Sequence, residues 1–117
     1  MGLEKSFLQE KINKGIELFQ KNKLEDATQI FELLKENIET KTTGLFFLGV
    51  IQIKKKNPSL AKKIFFEVLE IDQNHEDANL NLGLVYLEEK DFENSLFYLK
   101  KVLIINKKNL NALYHLG

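Results

Sequence analysis

Apolar residues recur along this chain at positions i, i+4 and i+7, and each such triplet returns 34 residues later. One set reads Ile12, Ile16 and Phe19, then Phe46, Val50 and Ile53, then Leu80, Leu84 and Leu87, with Tyr114 opening a fourth. A second set reads Gly44, Leu48 and Ile51, then Ala78, Leu82 and Val85, then Ala112 and Leu116. Residues so spaced share one side of a helix. Short polar segments separate the blocks: Lys21-Asn22-Lys23, Lys55-Lys56-Asn57 and Glu89-Lys90-Asp91. Loops this short force neighbouring helices to run antiparallel. The pattern predicts helices over about 6–20, 24–38, 43–55, 58–71, 76–89 and 92–105, and a stub from 109. Local signals agree with it. Ser6-Phe7-Leu8-Gln9 reads as a capping box. Asn57 before Pro58 reads as an N-cap with proline at the first helical position, and Asp91 as the matching cap one repeat later.

The glycines fix the organisation. Gly15, Gly49, Gly83 and Gly117 are each 34 residues apart. Ala27, Ala61 and Ser95 follow twelve after the first three, Phe31, Phe65 and Leu99 sixteen after, and Leu34, Val68 and Val102 nineteen after. A glycine and a small residue held at this interval belong where two helices of a pair cross. A 34-residue period of two short helices resembles the tetratricopeptide repeat family. The third repeat carries the resemblance best, in Asn81-Leu82-Gly83, Tyr86, Asp91-Phe92, Ser95, Leu99 and Val102. Departures are the aromatic expected four before each glycine (Lys11, Leu45, Asn79, Leu113) and the proline expected at each repeat end (Glu39, Gln73, Lys107). The resemblance implies an all-α, right-handed superhelical α-solenoid of antiparallel helix pairs. Three full repeats span about 8–41, 42–75 and 76–109, and 110–117 opens a fourth, all in one array over 1–117.

In such an array one face of each first helix packs on the preceding repeat. That face is apolar in repeats two and three, whereas in repeat one it carries Glu10, Lys14 and Glu17. Repeat one is therefore expected to start the array. The other end has no such polar face, and the chain reads as the N-terminal part of a longer one. The resemblance places Ile12, Ile16, Phe19, Phe46, Val50, Ile53, Leu80, Leu84 and Leu87 on the concave side as one apolar strip. So much uncovered apolar surface is unusual on a soluble monomer. The position two before each glycine reads Asn13, Phe47, Asn81 and His115. In members of the family asparagines there hold a bound peptide's backbone, so Asn13 and Asn81 join the candidate groove.

Composition narrows the chemistry. Seventeen positive charges balance 17 acids, arginine is absent, and there is no cysteine. A zero balance without arginine's bidentate fork gives no footprint for nucleic acid. With no thiol there is neither a disulfide framework nor a thiolate metal site. Gly44–Ile53, the longest apolar run, is too short to span a bilayer, and the N-terminus lacks a secretory pattern. These features fit a cytoplasmic protein. His75 and His115 lie far apart in the array, and no nucleophile, base and orienting group occur together. Neither enzymatic activity, nor a cofactor, nor a metal is expected. Family members that grip acidic chaperone tails use cations in the groove. The matching positions here are Ile12, Ile16, Phe47, Asp77 and Asn81, or one repeat on Phe46, Val50, Asn81, Asn111 and His115. Neither set holds a lysine or arginine, so such tails are not expected partners. The expected function is a non-catalytic protein–protein interaction scaffold whose groove takes an amphipathic helix or extended apolar peptide. The alternatives are the N-terminal repeat region of a larger enzyme, such as a glycosyl- or sulfo-transferase, or a self-associating module.

Overall fold

Each described helix but the last carries an apolar stripe that the next helix in sequence covers. The computed structural model describes residues 2–117, with side chains from Lys5 onward. Its seven helices are α1 (Gly2–Gln20), α2 (Leu24–Lys35), α3 (Lys41–Lys54), α4 (Pro58–Ile71), α5 (Glu76–Glu88), α6 (Phe92–Ile105) and α7 (Leu110–Leu116). No strand occurs among the described residues. Helices pack on their sequence neighbours as α1·α2, α3·α4 and α5·α6 within repeats and as α2·α3, α4·α5 and α6·α7 between them. The result measures 44 × 28 × 23 Å.

Three core clusters follow this order. Ala27, Phe31 and Leu34 of α2 meet Leu48 and Ile51 of α3. Ala61, Phe65 and Val68 of α4 meet Ala78 and Leu82 of α5. Leu99 and Val102 of α6 meet Leu80 and Ala112. The face assigned to inter-repeat packing is thus buried in repeats two and three, while Glu10, Lys14 and Glu17 are exposed. Glu17 instead pairs along its own helix with Lys21 at 2.9 Å and Lys14 at 3.7 Å. These bonds, Lys21's foremost, hold its carboxyl below the usual glutamate range.

Within a repeat the helices cross at the glycines. A Cβ on Gly15 would stand 2.7 Å from the Phe31 ring, one on Gly49 2.7 Å from Phe65, and one on Gly83 2.8 Å from Leu99. The small residue opposite is buried each time, and Ser95 adds a hydrogen bond from its hydroxyl to the Gly83 carbonyl at 2.8 Å. Each first helix then ends on a left-handed residue: Asn22 (φ 60°), Lys56 (φ 62°) and Lys90 (φ 63°). The next residue's N–H reaches back to the Leu18, Gln52 or Tyr86 carbonyl at 2.8–2.9 Å. This is the Schellman termination, built here without glycine.

Four helix starts are capped by side chains. Asn57 and Asp91 accept from the N–H of Leu60 and Asn94 as the sequence predicts, and His75 and Asn109 cap α5 and α7 through Ala78 and Ala112. The capping box at Ser6 does not form, because α1 already runs from Gly2 and Ser6 lies inside it. Leu3, Glu4 and Lys5 are good helix formers, so nothing local stops the helix from extending back. The other correction is α2, which ends at Lys35 rather than near 38. The buried Thr40 hydroxyl donates to the Leu34 carbonyl at 2.7 Å, and the Asn37 side chain accepts from the Glu39 N–H at 2.9 Å. Together they turn the chain early and leave Ile38 91% exposed.

The early turn brings α3 close over the end of α2. A Cβ on Gly44 would stand 2.7 Å from the Lys35 backbone nitrogen and 2.8 Å from the Phe31 carbonyl oxygen. One repeat later the same position is Ala78, fully buried, so α4 and α5 leave room for a methyl. Asn79 stands where the family's aromatic is expected. Its amide nitrogen donates to the Gln73 and His75 carbonyls at 3.2 and 2.8 Å, tying down the turn between repeats, while its buried carbonyl oxygen has no partner.

Two outcomes check this account. Gly44→Ala should destabilise the fold by about 1–3 kcal/mol, and by more than Gly15→Ala. The Phe31 ring end can shift away from a new methyl, whereas the Lys35 backbone cannot; urea denaturation midpoints report the order. Lys90→Gly should instead stabilise by about 0.5–1 kcal/mol, because glycine sits at positive φ without a Cβ penalty. A lower midpoint for this variant would contradict the cap assignment.

Candidate functional site

The candidate groove is built by the first helices of the repeats, α1, α3 and α5. Ile12, Ile16, Phe19, Phe46, Val50, Ile53, Leu84 and Leu87 are all half-buried. The reason is double duty. Ile12, Ile16 and Phe19 also pack on the α2–α3 core, Phe46, Val50 and Ile53 on the α4–α5 core, and Leu84 on the α6–α7 core. Phe46 lies against Phe65 and the His75 ring, with centroids 5.9 and 5.3 Å apart. The Lys54 ammonium sits 5.5 Å from the Phe19 ring centre and spans the first two repeats. Leu80 departs from the expectation. It is only 7% exposed and joins Leu99, Val102 and Ala112, because the core beneath α7 draws it inward. Tyr114, by contrast, is 80% exposed.

The two asparagines differ. Asn13 is exposed and accepts from Gln9 on its own helix at 3.0 Å. Asn81 is half-buried, and its amide nitrogen donates to the Asp77 carbonyl at 2.8 Å. Its carbonyl oxygen makes no hydrogen bond among the described residues.

An open depression of about 740 Å³ gathers part of this set between repeats two and three. Ile53, Leu84, Val85 and Pro58 supply its apolar walls, and Asn81, Lys56, Glu88 and Glu89 its polar ones. Three of the predicted groove residues, Ile53, Asn81 and Leu84, thus come together. Pro58, Val85, Lys56 and Glu89 were not expected there. Lys56 arrives through the left-handed turn that ends α3, and Pro58 because α4 starts directly after it. Glu89 is held by Lys62 at 2.6 Å, and Lys62 also lies 4.7 Å from the Tyr86 ring centre. A loop closing on two helix-start signals in succession, as Asn57-Pro58 does, was the available clue.

Other candidate chemistry does not assemble. His75 is spent on capping, its Nδ1 accepting from the Ala78 N–H at 3.0 Å. Glu76 accepts from Asn106 at 3.0 Å and Asn109 at 2.7 Å. Those bonds hold its carboxyl below the usual range and tie repeat three to the segment beyond. Among the described residues, no group of three or more histidines and acids is placed to hold a metal ion, and no helix is long and apolar enough to cross a membrane.

Antiparallel helix pairs stacked at a fixed interval define an α-solenoid. A family model described as Tetratricopeptide repeat matches residues 43–75 and 76–109, more than half of the chain, and the chain belongs to that family. The first repeat lies outside the matched residues, though Gly15, Ala27 and Phe31 close its helix crossing in the same way. No curated protein sequence matches the chain. Among solved structures, PcrH in complex with the chaperone binding region of PopB is similar, with TM-score 0.80 and 15% identity over 93% of this chain and 91% of that one. The Yersinia enterocolitica type III secretion translocator chaperone SycD has TM-score 0.81 and 14% identity over 91% and 79%. YrrB, described as a TPR protein with an unusual peptide-binding site, has TM-score 0.76 and 26% identity over 86% of this chain and 52% of its own. This chain therefore spans about half of YrrB. The PcrH and SycD likenesses establish the right-handed helical-pair fold.

The positions that would grip a terminal carboxylate keep Ile12, Ile16, Phe47, Asp77 and Asn81. A peptide ending in Glu-Glu-Val-Asp should therefore show no appreciable binding by calorimetry. Salt-sensitive micromolar binding would show that cations elsewhere do this work.

Proposed function

We propose that this chain is a non-catalytic protein-interaction module whose groove binds an apolar peptide segment, amphipathic-helical or extended. The observation that carries the reading is the open depression between Ile53 and Leu84, with the Asn81 carbonyl oxygen unbonded in its wall. An apolar anchor fits such walls, and a polar group placed among them fixes the orientation of what enters. Half-buried Phe46, Val50 and Leu87 continue the apolar strip outside the depression. The likenesses support the reading: PcrH was crystallised with a segment of PopB, SycD with a peptide of the translocator YopD, and YrrB is described by its peptide-binding site. Because the strip residues share their surface with the core, the attraction concentrates at the depression. Lys56 and Glu88 set the register of a bound segment more than its affinity.

Burying one large apolar side chain contributes roughly 1.5–3 kcal/mol, of which ordering the partner cancels a part. Leucine-rich amphipathic peptides of about sixteen residues, titrated into isotopically labelled protein, should bind in the micromolar range. Shift changes should centre on Ile53, Asn81 and Leu84. Ile53→Ala and Leu84→Ala should each weaken binding about tenfold, compared at temperatures where circular dichroism shows both variants still folded, since both side chains also pack on the core. Shift changes confined to another face, or binding indifferent to both variants, would refute the groove.

A further inference from the structure

The second helices α2, α4 and α6 bury Ala27, Phe31 and Leu34, then Ala61, Phe65 and Val68, then Ser95, Leu99 and Val102. Their opposite sides therefore form the outer face of the array, away from the first helices that line the groove. This face changes character from one end to the other. Residues 24–40 hold five acids against one lysine, whereas residues 92–109 hold four lysines against one acid. The change falls on equivalent positions, two repeats apart. Glu32 and Leu33 of α2 correspond to Lys100 and Lys101 of α6, and Glu36 corresponds to Ile104.

Both ends also carry apolar side chains out of the core. Leu33 is 57% and Ile38 91% exposed at the acidic end, and Phe97 is 60% and Ile104 85% exposed at the basic end. Scattered single residues of this kind mean little. Here each pair sits beside an excess of charge that the other pair's surroundings complement. None of Lys100, Lys101, Lys107 and Lys108 pairs with an acid among the described residues, and Glu32 pairs only along its own helix, with Lys35 at 2.8 Å.

We infer that the outer face is a self-association surface on which the basic, apolar α6 end of one copy docks against the acidic, apolar α2 end of a second copy. The four exposed apolar side chains supply the attraction, and the charges select the pairing, since exposed ion pairs contribute little by themselves. Matching α2 with α2, or α6 with α6, would set like charges together. Stacking copies end to end would have to use the inter-repeat face of repeat one, which carries the exposed charges Glu10, Lys14 and Glu17, so the outer face is the better match. Contact between two different patches joins copies head to tail. It closes into a dimer if both patches engage reciprocally and extends into a chain if they do not.

The test is sedimentation velocity of the whole chain from micromolar to millimolar concentration, at low and high salt. The unaltered protein should self-associate, less so at high salt. Lys100→Glu with Lys101→Glu, and separately Glu32→Lys with Glu36→Lys, should each weaken association by roughly tenfold or more. An equimolar mixture of the two variants should regain it, because each then offers the charge the other lacks. Ile104→Ser, at a side chain buried in neither core nor groove, should weaken association as an independent check on the charge variants. A strictly monomeric protein up to millimolar concentration would overturn the inference. Association unchanged in the variants, or a mixture that stays monomeric, would do the same. Peptide binding in the groove should be the same in all of these variants, so the two readings stand or fall separately.

Discussion

The distance at which the two helices of a repeat cross sets the rest of this molecule. Gly15, Gly49 and Gly83 lie so close to Phe31, Phe65 and Leu99 that a methyl on any of them would overlap the facing side chain. The aromatic or leucine pressed onto the glycine fills the space a side chain would take, and the small residue at Ala27, Ala61 or Ser95 lets the helices meet. A close crossing fixes the rotation of each helix about its own axis. It therefore decides which stripe faces the next repeat, which faces the groove and which faces outward. Because that crossing recurs every 34 residues, the same three faces recur as well, and the array propagates by nearest-neighbour contact.

The repeats are not identical, and the differences decide what the surface offers. Between the first two repeats α3 rides directly on the α2 backbone at Gly44, and the Phe31 and Phe47 rings stack 4.7 Å apart. Between the second and third, Ala78 keeps the helices further apart. Polar contacts bridge the seams: Lys55 to Glu25 at 2.7 Å across the first, and Lys62 to Glu89 across the second. An aromatic group of Phe66, Tyr98 and Tyr86 stands beside Lys62, and burial raises the Tyr98 hydroxyl above its ordinary pKa. The open depression lies at this second seam, where a loop that turns through Lys56 meets the exposed side of α5.

An apolar groove and an interior that needs apolar residues compete for the same side chains. Ile12, Val50 and Leu84 belong to both, which is why the groove is a half-buried surface with an open depression along it. The outer face has no such competition. There, side chains as apolar as Phe97 and Ile104 stand in solvent, and charge varies freely from repeat to repeat.

Much of this was legible in the residues alone. The 34-residue interval determined the number of helices, their pairing and the buried faces, because helical spacing alone decides which side chains share a side. The caps at Asn57 and Asp91 were legible for a related reason, since donor and acceptor lie three residues apart. The early end of α2, the burial of Leu80, the cap made by the His75 imidazole and the arrival of Lys56, Pro58 and Glu89 at one depression were decided by the tertiary structure. Each depends on a contact or a chain direction that the helical period does not encode. The Thr40 hydroxyl finds the Leu34 carbonyl only after the chain has turned back, and Lys62 finds Glu89, 27 residues on, only when two repeats stack. Sequence spacing fixes what is near along a helix, whereas only the packed chain fixes what is near through space.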